Sequence, residues 1–452
     1  MKVVVVGGGR MGLPLACVFA RNGAAVTVCD VNEPLTLEIA AGRCPYEEPG
    51  LEELLAEVHQ KRLLTASTDT AGACRHTDVV VVIVPAHLTP TREIDFSILQ
   101  AASAEVGKGL RAGALVSYET TVSVGGVRRN LIPVLESASG MQAGRDFSVC
   151  FSPERVKANL VLARLPVTPK VVGGLDDLSR EKARNFYGAY LGAPVHDVGS
   201  LEAAELTKLI DMLYRDVNIA LVNELAAFSE TVGIDFHLVR RAANENGESN
   251  LLEPGIGVGG HCTPVYPYFM TKESRRFGII QELAEAAREI NDKQPARNIE
   301  RLEQAWKPLA GRHVHLLGLG FRPGVKVETF SPAYKLREEL AARGVYVTIE
   351  DPYYTEDEIG RCGFQPGRID SGQVEAVVLN TAHPEFLLPD FASWRRHGVE
   401  AVLDGRNSWD RDKAEQAGLL FLGVGKPASA AAAVVHRPAE TRPKPTIQET
   451  AG

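Results

Sequence analysis

The sequence predicts a doubly wound α/β protein in which two domains of alternating strand and helix are joined by a central long-helix segment. Three observations carry this. A glycine-rich turn, Gly7-Gly-Gly9-Arg-Met-Gly12, lies between a valine run and an apolar stretch. Strand-like and helix-like segments alternate as far as Gly174 and again from His313. Between them, from Leu201 to about Gly233, apolar residues recur at helical spacing without a breaker. The length agrees, because 452 residues exceed one ordinary core.

Residues 3–6 read as a buried parallel strand, Leu13 to Arg21 as an apolar helix, and Ala25-Val-Thr-Val-Cys29 as a second strand ending at Asp30. Strand, glycine turn, helix, strand and acid in that order make a Rossmann-like dinucleotide site. Gly7 allows the tight turn, Gly9 lets backbone approach a pyrophosphate, and Gly12 permits close packing of helix on strand. The helix N-terminus offers amides and a positive dipole end to phosphates. Asp30 is placed to accept hydrogen bonds from the adenosine ribose diol, which favours NAD over NADP. Three further buried strands follow: Asp78 to Val84 before Pro85, Ala114 to Tyr118 before Glu119-Thr-Thr121, and Ser148 to Phe151 before Ser152-Pro-Glu-Arg155. Lys170-Val-Val-Gly-Gly174 closes the pattern. Ligands in such sheets gather beyond strand C-termini, which puts Thr121 and Glu154 in a functional position.

The central segment reads as one long helix, a second from about Asp235 to Asn244, and a third over about Ile279 to Ala310 with Pro295 and Pro308 as candidate breaks. A long helix in this place often serves subunit association, so a homodimer is expected. The second α/β half begins at His313-Val-His-Leu-Leu-Gly-Leu-Gly320, and Gly318-x-Gly320 has no glycine three residues on. A related fold holding a different nucleotide is the better reading there than a second NAD site. The boundaries expected are 1–199 for the NAD-binding domain, 200–310 for the central helical segment, and 311–425 for the second Rossmann-like domain. Residues 426–452, poor in large apolar side chains, read as a disordered tail.

Composition limits the function. A hydrophobic share of 45% and a charged share of 23% are those of a globular enzyme. A net charge of -8 argues against nucleic acid as partner. No apolar stretch approaches the roughly 20 residues that spanning a bilayer requires. Without an address signal, cytoplasmic residence is expected. The seven cysteines are scattered with no Cys-x-x-Cys pair, so neither a disulfide framework nor a metal site is expected.

Cys262 is conspicuous because Gly255, Gly257, Gly259 and Gly260 precede it. Those glycines let backbone approach a ligand, and a thiol on such a loop near cations can serve as a nucleophile. An ordinary glycine-rich loop with a buried cysteine fits the same spacing. Lys208, on the long helix, reads from spacing alone as a solvated lysine. His261 reads as structural.

Taken together, Gly7–Gly12, Glu48-Pro-Gly-Leu51, Glu119-Thr-Thr-Val122, Ser152-Pro-Glu-Arg155, Lys208 with Tyr214 to Leu221, Gly255–Cys262, Gly318 to Pro323, Ser331-Pro-Ala333 and Asp404-Gly-Arg-Asn407 resemble the UDP-glucose/GDP-mannose dehydrogenase family. The resemblance spans residues 1–425 in the family's order. The Gly-Gly-His-Cys form is most similar to the branch acting on UDP-N-acetyl-hexosamines. It implies an NAD-dependent, four-electron oxidation of a sugar C6 alcohol to a carboxylate on a nucleotide-diphosphate sugar. It implies Cys262 as nucleophile through a thiohemiacetal and a thioester, and Lys208 as oxyanion stabiliser or proton carrier. Glu154 would be the base in thioester hydrolysis, and Thr121 would position water beside the nicotinamide. The cofactor contacts implied are Gly7, Gly9, Arg10, Met11, Gly12, Asp30, Pro85 and Thr121. Those to substrate are Glu154, Arg155, Lys208, Gly259, Arg322 and Arg406.

Three positions depart from the family's pattern. Met212 replaces an asparagine one turn after Lys208, Tyr266 replaces an aspartate four residues after Cys262, and Thr329 stands where an arginine reaches the cofactor. Two other readings stay open: a two-electron β-hydroxyacid-type dehydrogenase and a catalytically silent nucleotide-sugar-binding homologue. The sugar and the base, UDP or dTDP, are not readable from these residues.

Overall fold

A computed structural model describes residues 1–89, 91–157 and 159–428 of the chain. All but the first three residues of the expected tail lie outside the described residues. Contacts divide the chain into two compact units, one of Met1–Val217 with His261–Arg288 and one of Asn218–Gly260 with the residues from Glu289 onward. The central segment expected over 200–310 is therefore shared between them.

The first unit is built on eight strands: β1 (Lys2–Val6), β2 (Ala25–Cys29), β3 (Leu64–Ser67), β4 (Val79–Val82), β5 (Leu115–Tyr118), β6 (Ser148–Phe151), β7 (Lys170–Gly174) and β8 (Val195–Ser200). Their order is β8-β7-β6-β5-β4-β1-β2-β3, which contains the doubly wound order 3-2-1-4-5-6. Every neighbouring pair is parallel except β6 with β7, where Cys150 pairs with Gly174 in antiparallel register. The valines of β1 explain why it is central. Val3 and Val5 enter one apolar layer, Val4 and Val6 the other, so both faces are covered and the run has no polar alternation.

Helix α1 (Gly12–Arg21) starts directly after the glycine turn. From β8 the chain passes into α2 (Leu201–Thr231), a single helix of 31 residues as the periodicity predicts. Along it Ile210, Tyr214, Leu221, Leu225 and Phe228 leave between 37% and 64% of their surface exposed. Helix α3 (Phe236–Glu245) follows, capped by the Asp235 side chain. Helix α4 (Tyr266–Arg276), with a proline in its first turn, has no counterpart in the sequence prediction. Helix α5 (Glu282–Ala305) contains Pro295 without breaking there. Buried amide side chains serve the carbonyls around the proline, Gln294 donating to Ile290 O and Asn298 to Gln294 O. The helix ends before Pro308.

The second unit holds a fully parallel sheet of β9 (His313–Leu317), β10 (Tyr346–Glu350), β11 (Ala376–Leu379), β12 (Ala401–Asp404) and β13 (Leu420–Gly423). Its order, β10-β9-β11-β12-β13, is the other common doubly wound pattern, 2-1-3-4-5. The difference from the first sheet lies at its glycine turn. Gly318 takes φ +94°, as Gly7 takes φ +111°, but the next helix, α6 (Pro332–Ala342), begins only after a loop to Ser331. Asp351 closes this turn, one of its oxygens accepting the amides of Leu319 (2.7 Å) and Gly320 (2.9 Å).

Candidate active site

The glycine turn of the first unit fits a dinucleotide. The Gly7 amide donates to Cys29 O at 2.8 Å, fixing the turn against β2. A Cβ on Gly12 would lie 1.9 Å from Gly7 O, so helix and strand touch there, whereas a Cβ on Gly9 would meet nothing within 4 Å. Space at Gly9 is what a pyrophosphate needs. Asp30, half-buried at the end of β2, accepts the amides of Gly8 at 2.8 Å and Asn32 at 3.0 Å. Arg10 is exposed with its guanidinium 5.4 Å from the Tyr46 ring centre, Met11 is half-buried, and Pro85 is exposed just past β4.

Beyond the ends of β5 and β6 lie the Thr120-Thr121 and Pro153-Glu154-Arg155 loops. Thr120 donates to Val84 O at 2.5 Å, joining the first loop to the chain beyond β4. Thr121 is buried. Two amides of its own loop hold Oε1 of Glu154, those of Arg155 (2.6 Å) and Val156 (2.8 Å). Its Oε2 lies 3.5 Å from the Lys170 ammonium. Arg155 reaches Pro169 O at 2.5 Å and Asp211 on α2 at 3.4 Å.

Lys208 is not the solvated lysine that spacing alone suggests; it is 6% exposed. Burial holds its ammonium below the ordinary lysine range, against the pull of Cys262, Glu154 and Asp211. Its Nζ stands 6.0 Å from the centre of the Tyr266 ring. Cys262 is half-buried in the turn that leads into α4, and its carbonyl accepts the amides of Val265 and Tyr266. Burial, reinforced by Cys262, pushes the Tyr266 phenol well above its ordinary range, with Thr121 working against the rise. Far apart in sequence, Cys262 and Glu154 both act on the Lys208 charge, and Cys262 and Thr121 both act on the Tyr266 phenol, all within the first unit.

The glycines before Cys262 are required by packing as well as by backbone freedom. Only Gly260 has positive φ, +96°. Side chains at the other three would strike Arg406 (Gly255), Pro332 (Gly257) or Phe321 (Gly259), so close packing inside the second unit requires them. Gly260 also donates to Thr329 O at 2.9 Å. Gly259, Arg322 and Arg406 all belong to this second unit. Burial pushes the Arg406 guanidinium down to about 10, and it donates to Asn380 O (2.6 Å) and Gly257 O (3.3 Å). Met212 is half-buried, and His261 is exposed.

Three family models match in succession: the NAD binding domain of the UDP-glucose/GDP-mannose dehydrogenase family over residues 1–191, its central domain over 202–293 and its UDP binding domain over 315–411. The chain belongs to this family. A UDP-N-acetyl-D-glucosamine 6-dehydrogenase of Pseudomonas aeruginosa is 32% identical, across 92% of this chain and 99% of that protein. A UDP-N-acetyl-D-mannosamine dehydrogenase of Pyrococcus horikoshii is 30% identical, across 94% and 99%. Among solved structures, a UDP-D-ManNAc dehydrogenase from P. horikoshii superposes with TM-score 0.84 at 28% identity, covering 94% of this chain and 99% of that one. A UDP-glucose dehydrogenase from Pyrobaculum islandicum gives 0.85 at 27%, covering 94% and 98%. With NAD-binding and UDP-binding domains of this family, the protein is an NAD-dependent nucleotide-sugar dehydrogenase, and the two-electron and silent readings are not favoured.

Sequence reasoning missed the polar network behind Glu154. Lys170 donates to Glu119 at 2.6 Å, Tyr187 donates to the other Glu119 oxygen at 2.6 Å, and Ser117 and Tyr187 share a 2.7 Å hydrogen bond. Burial works against the Lys170 ammonium, but the Glu119 and Glu154 carboxylates outweigh it and hold it above the ordinary range. The available signal was a lysine opening a strand otherwise buried throughout.

Proposed function

We propose that this enzyme oxidises the C6 alcohol of a UDP-N-acetylhexosamine to the carboxylate in two steps, with Cys262 as the covalent nucleophile. The observation that carries this is the meeting of Cys262 with a buried, easily neutralised Lys208, with Thr121 and with the Glu154 loop. NAD, held by the glycine turn of the first unit, would supply the hydride acceptor for both oxidations. The Cys262 thiolate adds to the carbon of the first product, an aldehyde, and forms the C–S bond. Lys208 balances the charge that develops on the oxygen. Loss of the second hydride leaves a thioester on Cys262. Glu154 takes a proton from the attacking water, the C–S bond breaks, and carboxylate and thiol separate.

Gly7, Gly9, Gly12 and Asp30 are the residues that would hold NAD, with Arg10, Met11, Pro85 and Thr121 beside it. Arg155, Gly259, Arg322 and Arg406 would contact the nucleotide sugar, the arginines through its diphosphate. The N-acetylhexosamine assignment is supported by the relatives' own substrates and by the His261-Cys262 pair. We also propose three functional parts, 1–199, 200–310 and 311–425, a homodimer paired through α2, and residence in the cytoplasm.

The test is the NADH yield on UDP-N-acetylglucosamine, UDP-N-acetylmannosamine, UDP-glucose and a dTDP-sugar. Two NADH per sugar on a UDP-N-acetylhexosamine is expected; a yield of one, or binding without reduction, rejects the four-electron reading. Cys262→Ser should release no uronate, and unchanged uronate production by that variant would sink the mechanism.

A further inference from the structure

In the first sheet β7 runs antiparallel to β6, and the reversal brings a cation to the site. Cys150 pairs with Gly174 and Phe151 with Gly173, so the same register carried outward sets Glu154 opposite Lys170. Ser152 shows that the two chains stay together past the strand end, its Oγ donating to Val171 O at 2.7 Å. In a parallel β7 the first residue would lie at the other edge of the sheet, a strand length from Glu154. Here a lysine stands where strand C-termini gather ligand groups. Lys170 is buried, as is Glu119 just past the end of β5. Glu119 accepts from Lys170 Nζ at 2.6 Å through one oxygen and from Tyr187, on the helix Asp177–Tyr190, at 2.6 Å through the other. Fixed from that side, Lys170 meets Oε2 of Glu154 at 3.5 Å. Oε1 of Glu154 already accepts the amides of Arg155 and Val156, so Oε2 is the oxygen left for a water.

We propose that Lys170 is a positioning residue for thioester hydrolysis, its ammonium anchored by Glu119 and holding Glu154 in the orientation in which Oε2 takes the proton of the attacking water. This rests on Glu154 being the base for that step. Two carboxylates share one cation, and the sharing suits a base whose charge changes. Before hydrolysis both carboxylates are ionised and the ammonium balances one of them. When Glu154 takes the proton its attraction for Lys170 falls away, yet Glu119 keeps the ammonium paired, so no buried charge is stranded. Lys170 itself gives and takes no proton; it fixes the carboxylate that does. The two hydride transfers come before this step, and Lys170 does not enter them.

The experiment is a stopped-flow trace of NADH on the full-length enzyme, with NAD and the nucleotide sugar that turns over best. Mass spectrometry of the Cys262 peptide, quenched in the steady state, accompanies it. Lys170→Met with Glu119→Gln removes both charges of the pair together and strands neither. The double variant is expected to give a burst of two NADH per Cys262 and then a steady state about tenfold slower than the unmodified enzyme's, with KM within about twofold. A sugar adduct should stay on its Cys262 peptide. Lys170→Arg, which keeps the cation, should hold kcat within about threefold. Tyr187→Phe, which loosens Glu119 alone, should accumulate less adduct and provides the reading if the double variant does not fold. A merely structural pair would slow hydride transfer and hydrolysis alike, so a slower first turnover without adduct, or an unchanged kcat, overturns the proposal. Glu154→Gln separates the two readings. Adduct in Glu154→Gln but not in the Lys170 variants rejects the proposal alone; no adduct in Glu154→Gln rejects Glu154 as the base, and the proposal with it.

Discussion

Lys170 opens a strand that is buried along its whole length, and two carboxylates keep it charged there. Its ammonium meets Glu119 at 2.6 Å and Glu154 at 3.5 Å, with the Tyr187 ring 5.0 Å away. Removing one partner of such a pair leaves the other charge stranded, at a cost of about 3–5 kcal/mol. Lys170→Met should therefore lower the unfolding midpoint sharply, and adding Glu119→Gln should recover part of the loss, as a double-mutant cycle in urea would measure. The pair also explains what could be read in advance. Cys262 and Glu154 stand in motifs of neighbouring residues and could be proposed from them. Lys170 and Glu119 are 51 positions apart, and no local spacing rule joins them. Lys208 was legible only through resemblance, because nothing in a helical period distinguishes a buried lysine from a solvated one.

Glu205 shows how one helix positions a loop on another part of its unit. From α2 its two carboxylate oxygens accept the amides of Gly125 and Val127, just past the Thr121 loop. Burial outweighs these hydrogen bonds and raises its carboxyl from 4.5 to about 8. The folded chain therefore holds a proton that the unfolded chain releases near pH 4.5. The resulting stabilisation is complete below that pH and is lost as pH rises towards 8. Urea midpoints of the wild type should fall across this window relative to those of Glu205→Gln, with a slope of up to about 1.4 kcal/mol per pH unit. Equal slopes would show that Glu205 stays ionised in the folded chain. Strands were legible as short apolar runs buried on both faces, and the long helix because its apolar residues recur at helical spacing. Helix α4 was not, since a start of Tyr-Pro-Tyr-Phe carries no polar cap and no clear apolar stripe. Pro295 misled in the opposite sense: tertiary burial and amide side chains carry the helix through a residue that breaks isolated helices.

At the scale of the molecule, two sheets of different strand order carry different glycine turns. One is followed at once by a helix N-terminus and the other by a loop to Ser331, which is why one pattern, Gly-x-Gly, marks a dinucleotide site in the first and not in the second. Gly12→Ala, with its Cβ driven onto Gly7 O, should weaken NAD binding at least tenfold in a fluorescence titration while the second unit's fold is untouched. The exposed stripe on α2 belongs to the same scale, as an apolar face this long is uncommon on a monomer. Leu221→Asp with Phe228→Asp should convert a sedimenting dimer to a monomer, and a monomeric wild type would reject the pairing.

The proposed pairing through this stripe would tie the enzyme's output to its own abundance. Lys208 rides the helix that carries the bare face, so any pairing that steadies the helix steadies the lysine, and pairing obeys mass action. Specific activity should then fall on dilution and return on reconcentration. The copy number of the chain would act as an effector, needing no second ligand and no site of its own.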